Sequence, residues 1–233
     1  MRRALFAAPV VGLATVPCGL VAIVLGLVGR VGDAQSVARG WARFVLAVCG
    51  VRVHAHGASV SGPAVYVCNH VSSLDIPILF AHLPADFRIV YKRSLLWLPL
   101  IGAYLWAADH VPIERSSPFR AKRSLDRAAV RIRAGTSVAL FPEGTRRGTQ
   151  GLGLFKRGSF LLAIGAGVPV VPVSLAGVQH LVPQGLGSLR GGSVSLQLHA
   201  PVSTAGRSPD EAEALAAQVR SVVEQGLCAA QQA

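Results

Sequence analysis

The spacing of apolar positions changes along this chain, and each change marks a different kind of element. From Ala4 to Gly29 there are 26 residues without a charge, opened by Arg2-Arg3 and closed by Arg30. At 1.5 Å per residue this run is long enough to cross the ~30 Å hydrocarbon layer of a bilayer. It is longer than the apolar stretch of a signal peptide and no small-x-small cleavage site follows, so a retained anchor is expected. Pro9, Pro17 and four glycines leave open whether it spans or lies in the interface. If Arg2, Arg3 and the remaining chain share the cytoplasmic side, one straight crossing is excluded. A hairpin or an in-plane helix is then required. Ser36 to Cys49 reads as a second helix, with Trp41, Phe44, Val45 and Val48 on one side and Arg39 and Arg43 available for headgroups. A simple core helix is the alternative.

After Gly50 the pattern shortens. Val51 to His56 alternates with period two, as a half-buried strand does. Val65–Cys68, Phe87–Tyr91, Val111–Ile113, Val138–Phe141 and Val170–Ser174 read as further short strands, and Val194, Leu196 and Leu198 alternate in a late one. Ser117-Pro118 opens a helix with Ala121, Leu125, Ala128, Ala129 and Ile132 at helical spacing and Gly135 as its stop. Another helix is expected around Ser159 to Ile164. Ser208-Pro-Asp-Glu211 is a capping box that starts a C-terminal helix to about Leu227. Strands alternating with helices predict an α/β fold: a single mixed, partly parallel sheet flanked by helices, with an N-terminal apolar two-helix membrane anchor. The expected division is residues 1–50 for anchoring and 51–233 for the α/β domain. The two prolines of Val168-Pro-Val-Val-Pro-Val173 predict an edge strand or the wall of a ligand site.

Composition narrows the partners. Apolar residues make up 52% of the 233 and charged ones 15%, so a soluble-type domain with a membrane attachment fits best. The net charge is +12, and between Arg115 and Arg157 eleven Lys or Arg face only two acids, Asp126 and Glu143. Such a basic stretch suits an anionic membrane surface or a phosphorylated substrate. Nucleic acid is disfavoured, because no aromatic-and-basic stacking pattern accompanies the charge. Four scattered cysteines share no metal or redox spacing, as in a reducing, cytoplasm-facing domain. His54 and His56 share one strand face without a third ligand nearby, so no metal site is expected.

Three segments carry chemistry. In Asn69-His70-Val71-Ser72-Ser73-Leu74-Asp75 a His precedes an Asp by five residues, just after a strand. On one continuous helix those side chains would diverge by about 140°. They meet only if His70 lies in the strand-to-helix loop and Asp75 in the first turn. A carboxylate on one ring nitrogen then fixes the tautomer and leaves the other as a base. Phe141-Pro142-Glu143-Gly144-Thr145-Arg146 runs a strand into a glycine turn, where backbone N–H groups and a guanidinium form a seat for phosphate or oxyanion.

With Val-Pro-Val-Val-Pro-Val following in order, these segments resemble the glycerolipid acyltransferase family typified by bacterial 1-acylglycerol-3-phosphate O-acyltransferases (PlsC-type), over about Val65 to Ser174. Ile113-Glu114-Arg115 is similar to its remaining motif, although Asp109-His110-Val111-Pro112 replaces the usual preceding glycine. The resemblance implies His70 as general base and Asp75 as its orienting carboxylate. It implies Arg115, Glu143, Gly144, Thr145 and Arg146 as acceptor-holding residues, the two arginines on its phosphate, with Lys92 as a further phosphate contact. The implied donor is acyl-ACP or acyl-CoA as co-substrate, with no other cofactor. The implied acceptor is a lysophospholipid, 1-acylglycerol-3-phosphate first and lyso-ornithine lipid as the alternative. The implied location is the cell membrane, with the catalytic domain on the cytoplasmic face. A non-catalytic, anionic-lipid-binding surface protein is the rival of another class. A serine hydrolase is disfavoured, since no Gly-x-Ser-x-Gly elbow occurs.

Overall fold

The computed structural model describes residues 2–57, 60–114, 117–183 and 186–232. Helices α1 (Arg2–Leu27) and α2 (Val31–Cys49) precede strands β1 (Val51–His56) and β2 (Val65–Cys68). Then follow α3 (Asp75–His82), β3 (Phe87–Lys92), α4 (Ile101–Ala107), β4 (Val111–Ile113), α5 (Pro118–Arg133) and β5 (Ser137–Leu140). The chain ends with α6 (Arg157–Ala166), β6 (Val170–Ala176), α7 (Val178–Leu181), β7 (Gly192–Leu198) and α8 (Ala212–Gln232). All seven strands join one sheet in the order β1-β7-β6-β2-β5-β3-β4. Every neighbouring pair is parallel except β6 with β7. The sheet is therefore mixed and mostly parallel, as the alternation of elements requires.

Period-two alternation sorts the strand side chains into two cores. Tyr66, Cys68, Ala139, Val171 and Val173 face a layer that includes residues of α1 to α4, whereas Val65, Val67, Val138, Leu140 and Val170 face α5, α6 and α8. Phe160, Leu162 and Leu215 of the second layer are almost wholly buried, and each such side chain contributes about 1.5–3 kcal/mol. The Ser208–Glu211 capping box forms, with Ser208 N–H donating to Glu211 Oε2 at 2.7 Å, and leads into α8.

Two expectations change. Pro172, inside β6, and Pro169, just before it, do not mark an edge, since β6 lies between β7 and β2. His199 N–H donates to the Pro172 carbonyl just beyond β7, so the donor that proline lacks falls where the ladder ends. Among the described residues only α1 is a candidate anchor. Its segment Ala4–Leu27 has mean hydropathy 2.4 with 6% of its most apolar window buried, long and apolar enough to cross a bilayer. In α2, by contrast, the stripe Ala34, Ala38, Ala42, Val45 and Cys49 is buried against the domain. Arg39 meets no headgroup: its guanidinium donates to the carbonyls of Phe80, Leu83 and Ala85 at the end of α3. Ala7, Ala38, Ala42 and Leu46 share one core cluster with Tyr66 and Leu175.

Candidate active site

The chain leaves adjacent parallel strands β2 and β5 in opposite directions, to α3 on one layer and α6 on the other. Loops that part in this way open a crevice at the carboxyl ends of the strands, where α/β sheets expose reactive groups. Asn69 fixes the end of β2: its amide donates to the Leu175 carbonyl (2.9 Å) and its Oδ1 accepts from Leu175 N–H (2.8 Å) on β6. His70 follows in the loop and Asp75 opens α3.

His70 Nδ1 lies 2.7 Å from Asp75 Oδ2, and that oxygen also accepts Val71 N–H (2.7 Å) and Ser72 N–H (2.9 Å). Two backbone donors identify the oxygen as an acceptor, so the ring proton sits on Nδ1 and Nε2 keeps a lone pair. Asp75 is fully buried while the His70 side chain stays 16% exposed. The imidazole stacks on Phe141 with centroids 3.9 Å apart and planes 15° apart, which sets its tilt. Cys68, beneath the pair, has its thiol pushed well up by burial and by the Asp75 and Glu143 carboxylates, so it stays protonated and inert.

Glu143 plays a different part from an acceptor ligand. It is buried, with Oε1 accepting His70 N–H (2.8 Å) and Oε2 accepting Gly153 N–H (2.8 Å). Both oxygens are thus occupied by backbone N–H groups, and the carboxylate braces the His70 loop. Gly144 adopts φ 73°, which turns the chain back toward that loop. Arg147 N–H then donates to the His70 carbonyl (2.9 Å) and Gly148 N–H to that of Val71 (3.2 Å). The exposed Arg146 reaches Ser73 Oγ at 2.5 Å, on the reactive loop itself. Thr145 is exposed beside it, and Lys92 is exposed at the end of β3, two strands from β2. Arg115 lies outside the described residues.

Two cavities adjoin this loop. One of ≈ 180 Å³ touches His70, Glu143, Arg147 and Gln179. The other, of ≈ 370 Å³, is almost entirely apolar and runs between α1, α2, α3 and α4, with Ser73 in its wall beside Ile76, Tyr91 and Leu105. Sequence reading missed Asn69, Phe141 and Arg147 as parts of the site. Their adjacency to His70 and Glu143 was the available signal, but their partners lie on other strands. Among the described residues no group of three metal-binding side chains occurs.

The Acyltransferase family model matches residues 50–176, more than half of the chain, including His70, Asp75, Glu143 and Arg146. The chain belongs to this family. Among relatives of this acyltransferase-family chain, the 1-acyl-sn-glycerol-3-phosphate acyltransferase of Escherichia coli strain K12 is 32% identical over 165 residues, covering 70% of this chain and 66% of that protein. The human 1-acyl-sn-glycerol-3-phosphate acyltransferase alpha is 35% identical over 175 residues, 73% of this chain and 62% of that one. The chain spans about two fifths of the plant and algal relatives it matches, 39% of the chloroplastic LPAT1 of Arabidopsis thaliana, for example. In structure it is similar to the crystallised 1-acyl-sn-glycerophosphate (LPA) acyltransferase PlsC of Thermotoga maritima. The TM-score is 0.72 at 27% identity, over 94% of this chain and 95% of that one.

Proposed function

We propose that this acyltransferase-family chain is a membrane-bound O-acyltransferase that moves a fatty acyl group from acyl-CoA or acyl-ACP to the free hydroxyl of 1-acylglycerol-3-phosphate, giving phosphatidic acid. The observation that carries this reading is the His70–Asp75 pair at 2.7 Å beside an apolar cavity whose wall includes Ser73, the partner of Arg146. An acyl chain in that cavity and an anionic headgroup at Arg146 bring the acceptor hydroxyl to His70 Nε2. The nitrogen removes the hydroxyl proton as the oxygen attacks the thioester carbonyl, and Asp75 stabilises the resulting imidazolium. The tetrahedral adduct collapses by breaking the carbon–sulfur bond, and the imidazolium returns the proton to the leaving thiolate. No acyl-enzyme is needed, since a thiol already leaves well and positioning supplies the rest.

Arg146 with Arg115, assisted by Thr145, the Gly144 turn and Lys92, would hold the acceptor headgroup. The outer side of α1, with Leu5, Phe6, Leu13, Leu20 and Val24 exposed, would enter the membrane interface while its inner side stays packed on the domain. This favours a half-immersed helix on the cytoplasmic face over a free crossing. The names of the relatives support phosphatidic acid formation over the lyso-ornithine alternative. The test is thiol release from long-chain acyl-CoA or acyl-ACP with a panel of lysolipids. Release should require a phosphate-bearing acceptor, and His70→Ala should lower kcat by about 10²–10⁴. Normal turnover by His70→Ala would remove the mechanism, and indifference to the headgroup phosphate would remove the assigned acceptor.

A further inference from the structure

Helix α1 is not the only apolar surface that the domain leaves bare. Residues 94–108 carry no charge, with Lys92-Arg93 before them and Asp109 after them. They fold as the end of a 3-10 turn, Arg93–Trp97, followed by α4. Leu95, Trp97, Leu98, Ile101 and Trp106 are exposed there, Trp97 at 88% and Trp106 at 67%. Soluble surfaces scatter such side chains singly, so a cluster of them marks a face that something covers. The other side of the segment is fitted to α1. Gly19 lies against the Leu100 side chain, and a Cβ at Gly26 would run into the Ala107 carbonyl. These two glycines let α1 approach closely, so the bare residues of both elements adjoin. Both also wall the apolar cavity, with Cys18 and Ala22 on one side and Leu95 and Ile101 on the other.

We propose that residues 95–106 insert into the same anionic lipid leaflet as α1, as a second membrane-seating element, an inference that rests on the interfacial reading of α1 above. Continuity with α1 is the first argument. Tryptophan is the second: an apolar ring with one polar N–H favours the boundary between hydrocarbon and water. Charge is the third. Arg93, at the start of the segment, shares a cleft with Arg120, Arg123 and Arg127 of α5. These cations sit where lipid headgroups meet the protein, in the layer that also holds the acceptor's phosphate. A second copy of the chain would instead bring a net charge of +12 against an equal one. Two insertion points fix the tilt of the domain on the leaflet, whereas a lone in-plane helix is free to roll.

The test places the full-length chain on phosphatidylcholine–phosphatidylglycerol vesicles with brominated acyl chains, which quench tryptophan on contact. The chain has three tryptophans, Trp41, Trp97 and Trp106. Trp41→Phe/Trp106→Phe reports on Trp97, and Trp41→Phe/Trp97→Phe on Trp106. Leu13→Trp and Leu154→Trp, each with all three tryptophans replaced by Phe, are the references. Leu13 is exposed on α1, and Leu154 is exposed beside Phe155 of the opposite layer. Trp97 and Trp106 should lose emission as Leu13→Trp does, while Leu154→Trp keeps its emission. Quenching of Leu13→Trp alone, or of all four positions equally, overturns the proposal. Quenching of Trp97 and Trp106 without Leu13→Trp overturns the α1 reading and not this one. A second arm keeps Trp41. Trp97→Ser/Trp106→Ser should lower thiol release with vesicle-borne lysophosphatidic acid about tenfold and leave it unchanged in detergent mixed micelles. Equal losses in both settings overturn the proposal, as does a detergent-solubilised dimer that this variant dissociates, which would give the face to a second copy. The quenching arm needs no turnover, so a chain that releases no thiol would sink the acyltransferase reading and leave this test intact.

Discussion

The single atom Asp75 Oδ2 holds the reactive loop together, because it collects the imidazole and two backbone amides at once. Glu143 does the same from the other loop, spanning His70 N–H and Gly153 N–H. Glutamine at that position offers one acceptor oxygen and an NH₂ that opposes the second amide. Glu143→Gln is therefore expected to lose about 1.5–3 kcal/mol of stability and to lower kcat while leaving the acceptor KM in place. Thermal unfolding and a kcat-against-KM split check this, and an acceptor KM that rises alone would restore the ligand role. The motif makes the acid visible in the sequence, but its partner Gly153 lies in a patternless loop ten residues on, so its job was not legible. His110 is a second case. It is buried, accepts Ile89 N–H at 3.0 Å, and burial, aided by Arg88 and Arg131, lowers its pKa from 6.5 to about 3. The folded chain keeps it neutral where the unfolded chain protonates it. Stability should thus be full above pH 6.5 and fall toward pH 3, by up to about 1.4 kcal/mol per pH unit. Melting temperatures across that window should show the slope, and His110→Phe should flatten it.

Helix α5 announced itself in the sequence and helix α4 did not. The α5 pattern, Ser117 cap included, was readable because arginines and lysines alternate with Ala121, Leu125 and Ile132 at helical spacing. Helix α4 was missed: Leu98 to Ala108 is apolar apart from prolyl and glycyl positions, so no period emerges. Its start also requires Leu100 at φ 61°, which no pattern discloses. Helix α2 was found from Ser36 on but placed in the anchor, since Arg39 looks like a surface group until its carbonyl partners on another element are known. Gln35 donates to the Phe87 carbonyl at 2.9 Å, and Arg39 caps the end of the helix whose first residue is Asp75. Arg39→Met keeps the aliphatic stem but frees those carbonyls. It is expected to cost about 1.5–3 kcal/mol and to slow turnover through α3, and thermal unfolding beside thiol release measures both.

For the molecule as a whole, the apolar N-terminus is built into the domain rather than appended to it. Trp41 Nε1 donates to Thr15 Oγ1 at 2.9 Å, and α1 supplies Cys18, Gly19 and Ala22 to the apolar cavity. Removing residues 2–30 should therefore yield an insoluble or inactive chain, measured by soluble yield and thiol release, and a soluble, active fragment would contradict this packing. Strand alternation made the mixed sheet legible. The join between anchor and domain was not, because hydropathy shows how greasy a segment is and not what it leans on. The two hydrogen bonds that the Arg147 and Gly148 N–H groups donate to the His70 and Val71 carbonyls have a last consequence. They sew the His70 loop to the Arg146 loop across the gap between β2 and β5, so breathing of the crevice carries both together.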